Sequence, residues 1–279
     1  VINMKISYVI PTLNSALTLE RTLLSLRTQK NVDVTIIVVD SGSADETLEI
    51  CKRWNVNYLY IEPGNIYRAI NLGLRQCDSE WLGYLNSDDW LYPDSVARLI
   101  TLGNASKADF VYGNCDFTDF CGRFMYSFAP PQASQLISIS RTSMLGFSQQ
   151  SAIFRKSLYT RLKGFNQNYQ FCADREFYLR ALNSGASFAY LHGPPVSCFR
   201  IHINQLSHTK SKLMQIEGNQ IHADFFDHPS FYDRMVKMQW QLRNIPHYLL
   251  RFLRQSLLSG RPVITKSMHP GPHLWSGKD

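Results

Sequence analysis

Five short, nearly continuous apolar runs punctuate the first 113 residues: 5–10 (KISYVI), 34–39 (VTIIVV), 58–61 (YLYI), 81–85 (WLGYL) and 110–112 (FVY). Strands buried on both faces of a parallel sheet have this pattern, because neither face needs polar residues. The segments between them have helical spacing. Leu19, Leu23 and Leu26 share one face, entered through Asn14 or Ser15 as a cap. Ser43 and Glu46 form an S-x-x-E capping box that opens an amphipathic stretch to Trp54. Ile66, Ala69, Ile70, Gly73, Leu74 and Cys77 mark a third helical face, and Pro93 sits where a first-turn proline would open a fourth helix with Val96, Leu99 and Ile100. Strands alternating with helices predict an α/β fold with a mostly parallel sheet, flanked by helices, whose ligand site lies at the carboxyl ends of the strands.

Beyond residue 113 the pattern loosens. Residues 116–150 are rich in Ser and Gln and contain Pro130-Pro131, and helical spacing returns at 157–164 and 174–185. The pattern continues one domain and does not begin a second. The expected organisation is a catalytic domain over 1–210, with a nucleotide-binding half (1–113) and an acceptor-side half (114–210), then a helical, basic C-terminal extension over 211–279. Within that extension Leu, Met and Phe alternate with Arg and Lys over 231–258, and Pro246 should divide the stretch in two.

Composition narrows the function classes. A chain of 279 residues with 44% hydrophobic content can bury one large core. Six cysteines without a C-x-x-C pair signal neither a zinc knuckle nor a disulfide framework, so a reducing compartment, the cytoplasm, is expected. No run reaches the roughly 18 to 20 apolar residues of a spanning helix, and neither a leader nor a membrane anchor is expected. The net charge of +7 is concentrated at the C-terminal end, where residues 200–279 hold 11 Lys and Arg against 5 Asp and Glu. Without a nucleic-acid-binding signature this charge points away from nucleic acid. It suits acidic lipid headgroups or a lipid-linked pyrophosphate acceptor, with peripheral contact at the inner face of a membrane.

The strand ends carry the candidate chemistry: Thr12 and Asn14, Asp40 and Ser41, Glu62, then Asn86, Asp88 and Asp89. In the sequence NSDD directly after WLGYL, carboxylates stand at a sheet edge before the next helix begins. Mg²⁺ and Mn²⁺ take one or two such carboxylates and complete their shell with substrate phosphates. After the first strand stands PTLNS, which is neither G-x-G-x-x-G nor a P-loop. Phosphates would then be neutralised by metal and basic side chains.

Five segments in order, KISYVIPTLNSALTLERTLLSL, VVDSGSADET, GNIYRAINLGL, WLGYLNSDDWLYPDSV and FNQNYQFCADREFYLRAL, resemble family 2 glycosyltransferases of the GT-A fold over about the first 200 residues. The resemblance implies an inverting, metal-dependent enzyme that moves a sugar from a nucleotide-diphospho-sugar, UDP-linked by preference, to a glycan or lipid-linked saccharide. It places Thr12 and Asp40 at the nucleotide base, Asp40 as acceptor of a uracil-type N–H, with Arg68 near the base or phosphates and Asn71 in support. Asn86 and Asp88 match the D-x-D element, with Asn where Asp often stands; Asp88, Asp89 and His202 become ligands for Mn²⁺ or Mg²⁺. Asp174 matches the catalytic base, with Glu176 competing, and Arg200 and Gln205 would contact the leaving diphosphate or the closing loop. Gln149-Gln150 stands where similar proteins commonly carry a histidine, so no acceptor identity transfers. Two other readings are a nucleotidyltransferase, which the PTLNS loop opposes, and a catalytically inactive nucleotide-sugar binder, which Asn86 keeps open.

Overall fold

A computed structural model describes residues 4–202 and 205–259. The first half is the expected alternation: β1 (Met4–Thr12), α1 (Leu19–Arg27), β2 (Val32–Asp40), α2 (Thr47–Arg53), β3 (Asn57–Tyr60), α3 (Ile66–Arg75) and β4 (Trp81–Tyr84). A short β5 (Trp90–Leu91) precedes α4 (Ser95–Ser106) and β6 (Phe110–Gly113). β1 to β4 are parallel, in the order β3-β2-β1-β4. Alternate residues of each strand feed opposite faces. Val9, Ile37 and Val39 pack under α3 through Ala69, Ile70 and Leu74. Ile6, Tyr8, Ile10 and Val38 pack against Leu19, Leu23 and Leu26 of α1, Ile50 of α2, and Leu99 and Ile100 of α4. Gly73 lets α3 lie close to the sheet, since a Cβ there would stand 2.7 Å from the Val9 methyls.

Three local expectations are corrected. Helix α1 starts at Leu19, later than a cap at Asn14 or Ser15 allows, because residues 15–18 form a turn in which the Ser15 carbonyl accepts from Thr18 and Leu19. The Ser43–Glu46 box does not form: the Ser43 hydroxyl donates to Asp40, and Asp45 accepts from the Thr47 N–H. Pro93 lies outside α4, whose N-cap Asp94 has φ 65.

The loosely patterned middle is more ordered than its spacing predicts. β7 (Cys115–Thr118) and β8 (Phe124–Phe128) form a hairpin, α5 (Leu136–Arg141) follows, and β9 (Ala152–Arg155) inserts antiparallel between β4 and β6. α6 (Lys156–Arg161) and α7 (Ala173–Asn183) lead to β10 (Phe188–Leu191), which closes the seven-stranded sheet beside β6, and to β11 (Ser197–Arg200). β11 joins a second, four-stranded sheet of order β5-β11-β7-β8. These strands are two to five residues long or carry polar residues, too little signal for a period-2 reading.

The C-terminal helices are α8 (Leu206–Thr209), α9 (Ser211–Phe225), α10 (Phe231–Arg243) and α11 (Ile245–Ser259). As the sequence predicts, the break falls just before Pro246, which sits in the first turn of α11. The helices pack on the α/β body: Ile221 of α9 against Cys172 and Leu179, and Trp240 of α10 against Phe128 and Met144.

Candidate active site

The strand order around β1 sends β2 and β3 to one side and β4 to the other, which opens a crevice at their carboxyl ends. A cavity of about 1010 Å³ occupies it. One wall comes from the sheet ends, with Thr12, Asn14, Asn86 and Asp88; Tyr67 and Asp174 stand on α3 and α7; the other wall comes from the small sheet and the C-terminal helices, with Phe117, Phe128, Phe199, Trp240 and Tyr248.

The parallel register sets Thr12 beside Asp40, and the Thr12 hydroxyl donates to Asp40 Oδ1 at 3.0 Å. Oδ1 also accepts from the Ser43 hydroxyl, and Oδ2 accepts from the Gly42 and Ser43 N–H groups, both at 2.9 Å. A carboxylate offers about four acceptor positions, and the chain itself fills all of them. Asp40 therefore shapes the turn over 41–43 and has no acceptor position left for a base N–H; Thr12 and Ser41 reach the cavity wall. Arg68 is exposed and outside that wall, because α3 turns Tyr67, Ile70, Asn71 and Leu74 inward. Asn71 is buried and employed elsewhere: its amide donates to the Phe165 carbonyl and accepts from Phe165 N–H and the Tyr159 hydroxyl. It ties α3 to the loop after α6 and does not meet the cavity.

Antiparallel pairing of β5 with β11 carries the chain after residue 200 back to the end of β4. There His202 Nε2 lies 2.8 Å from Asp88 Oδ2, both in the cavity wall. Gln205 fixes the pair: its carbonyl oxygen accepts from His202 N–H at 3.1 Å, and its amide donates to the Arg200 carbonyl and, at 3.4 Å, to Asp88. Asn86 Oδ1 is buried with no hydrogen-bond partner. Asp89 points the other way. It is buried outside the cavity wall, accepts from Arg200 N–H, and has its carboxyl pushed well up by burial and then by the Asp88 charge. The expected ligand Asp89 is instead a buried clasp between β5 and β11. Arg200 is buried too, its guanidinium over the Trp90 ring that also stacks with Arg21, and it does not line the cavity.

Asp174 stands in the first turn of α7, half-buried in the cavity wall. Its Oδ1 accepts from the Tyr67 hydroxyl at 3.0 Å and from Arg175 N–H at 2.7 Å. Burial pushes its carboxyl above the ordinary aspartate range, against the pull of those two bonds. Glu176 is buried in an ion pair with Arg180, whose guanidinium also donates to the Leu162 and Gly164 carbonyls. Glu217 of α9 accepts from the N–H groups of Gln170, Phe171 and Cys172 at 2.6 to 2.7 Å, which holds the loop entering α7. Sequence reasoning missed Tyr67 and Glu217. Tyr67 could have been found, since it shares a helical face with Ile70 and Leu74 and Arg68 does not.

Two carboxylates, Asp88 and Asp174, and one imidazole line the cavity, and no Lys or Arg does among the described residues. Nor do three His, Cys, Asp or Glu side chains gather around one metal position among those residues. A hard divalent ion that draws most of its shell from a diphosphate fits a single carboxylate with an imidazole beside it, near an amide oxygen without a partner.

The family model for glycosyl transferase family 2 matches residues 7–162, more than half of the chain. The chain belongs to that family. A PGL/p-HBAD biosynthesis glycosyltransferase of Mycobacterium bovis is 30% identical over 195 residues, 67% of this chain and 73% of the relative. An uncharacterised glycosyltransferase of Rickettsia prowazekii is 25% identical over 220 residues, 76% and 68% of the two chains. Among solved structures, S. aureus TarS with UDP-GlcNAc superposes with a TM-score of 0.61 at 20% identity, covering 80% of this chain and 71% of that one. The Pyrobaculum calidifontis mannosyltransferase PcManGT with GDP-Man and Mn²⁺ superposes with a TM-score of 0.61 at 16% identity, covering 94% and 77%. This family 2 glycosyltransferase thus has the GT-A fold.

Proposed function

We propose that this glycosyltransferase moves a sugar from a UDP-sugar to a hydroxyl of a saccharide or lipid-linked saccharide, by a single displacement that inverts the anomeric carbon and depends on Mn²⁺ or Mg²⁺. The observation that carries this reading is the charge inventory of the cavity. A nucleoside diphosphate entering it meets carboxylates and no Lys or Arg among the described residues, so its charge needs a partner from outside the chain. Asp88 and His202 would hold the divalent ion, which supplies that countercharge and stabilises the leaving diphosphate. TarS with UDP-GlcNAc and PcManGT with GDP-Man and Mn²⁺ support the same chemistry.

Thr12 and Ser41 offer hydroxyls to the base, and Asn86 offers its amide to the ribose. The acceptor oxygen attacks the anomeric carbon as the bond to the diphosphate oxygen breaks, and Asp174 takes the acceptor's proton. Tyr67 and the Arg175 N–H both bind Asp174 Oδ1, which orients the carboxylate for that transfer.

The C-terminal helices suit peripheral contact with an anionic membrane. On α10, Phe231, Met235, Met238 and Leu242 form one exposed stripe opposite buried Val236 and Trp240. Residues 231–259 carry five Lys and Arg against one Asp, Asp233, which is buried. Among the described residues no helix is long and apolar enough to cross a membrane.

The test is calorimetric titration of the full chain with UDP and with GDP, each with and without Mn²⁺. UDP should bind at least about tenfold more tightly with the metal, a gap of roughly 1.4 kcal/mol. Equal binding with and without metal would remove the metal from the reading, and failure of both nucleotides to bind folded protein would remove the donor site.

A further inference from the structure

The charged groups of the cavity stand at the sheet ends and on α7; the wall opposite is made of other material. Phe128 of β8 is its centre. Its ring meets Trp240 of α10 at 5.7 Å, edge-on, and it packs both with Met144 and with the small-sheet cluster that holds Phe117 and Phe199. Tyr248 of α11 extends the same wall. The polar groups beside these rings are uncharged. Gln149 and Gln150 follow α5, and Ser143 is exposed in the left-handed region at φ 62. No Asp, Glu, Lys or Arg of β7, β8, α5, α10 or α11 lines the cavity among the described residues.

Charge and apolar area are matched across a binding site, because a charged group carried into an apolar wall loses its hydration with nothing in return. Aromatic rings instead reward an apolar surface laid against them. Resting on the glycosyltransferase reading of the cavity, we propose that its acceptor is a neutral amphiphile: the reacting hydroxyl sits on an uncharged sugar or alcohol, and an aryl or alkyl group close to it lies on the wall formed by Phe128, Phe199, Trp240 and Tyr248. Acceptors with a phosphate or carboxylate next to the reacting hydroxyl are excluded. The pyrophosphate of a lipid-linked acceptor must therefore lie outside the cavity, separated from the reacting sugar by at least one neutral residue.

The experiment saturates the full chain with UDP and diamagnetic Mg²⁺ and then measures binding of three probes by ligand-observed NMR: glucose, glucose 6-phosphate and phenyl β-glucoside. Phenyl glucoside should bind at least about tenfold more tightly than glucose, and glucose 6-phosphate no more tightly than glucose. Phe128→Ala should erase the phenyl preference and leave the UDP and Mn²⁺ titration unchanged. Ser143→Asp, at a left-handed position that Asp adopts more readily than most residues, should lower phenyl glucoside affinity severalfold in protein that still binds UDP. Equal affinity for all three probes, a preference for the phosphate, or a phenyl preference indifferent to both substitutions overturns the proposal. Failure of wild-type protein to bind UDP at all would instead count against the donor site, which the titration reads separately.

Discussion

Asp88 and Asp174 face one cavity, and the proposed reaction gives them different tasks, so their substitutions should separate. Asp88→Ala should weaken UDP binding in the presence of Mn²⁺ and leave metal-free binding alone. Asp174→Asn should lower turnover by roughly 10²- to 10⁴-fold while UDP titrates normally. Near-normal turnover would remove Asp174 as the base. Its burial also sets a pH dependence. A base must be ionised, and this carboxyl holds its proton above the ordinary aspartate value, so the acid limb of kcat/KM should fall above that value and vanish in Asp174→Asn. Linkage gives stability the opposite slope: the folded state binds this proton more tightly than the unfolded chain, so its contribution fades as pH rises from the ordinary value through the raised one. Asn71→Ala should behave as a structural change. It strands a buried carbonyl and a buried N–H at Phe165, each costing about 1–3 kcal/mol, and should lower Tm with UDP affinity retained.

At the scale of elements, the first half of the fold was legible because its strands are buried on both faces and announce themselves as apolar runs. The motif order placed Thr12, Asn86, Asp88, Asp174 and His202, and the structure brings all five to one cavity. It could not tell Asp88 from Asp89, because neighbours in a turn point in directions set by partners far along the chain; Asp89 is claimed by Arg200, 111 residues later. Asp40 and Arg68 stand outside that cavity wall, the first hydrogen-bonded within its own turn and the second on the outer side of α3. The second sheet was illegible because its strands are short and one of them, β11, pairs with partners from two distant segments. Glu217 shows an element-scale dependence of α7 on α9. Glu217→Ala should release the loop over 170–172 and lower kcat with little change in UDP affinity, and hydrogen exchange should rise at Phe171 and Cys172; unchanged exchange would show that other contacts hold the loop.

For the whole molecule, the C-terminal helices are both a wall of the cavity, through Trp240 and Tyr248, and its outer surface, through the exposed stripe on α10. Leu242→Glu puts a like charge against an anionic surface, so it should cut sedimentation with phosphatidylglycerol vesicles severalfold and leave UDP binding intact. Binding that is indifferent to lipid charge, or to this substitution, would remove the membrane contact. The pairing of Asp88 with His202 spans 114 residues, and the brace from Glu217 reaches α7 from 45 residues further along the chain than Cys172. During synthesis the ribosome therefore delivers the donor-side strands long before the segments that complete them. In the growing protein Asp88 lacks its imidazole partner until His202 has emerged, Asp174 stands on an unbraced loop until Glu217 has, and Phe128 stays uncovered until Trp240 has. Its uncovered rings make that intermediate the aggregation-prone state of synthesis.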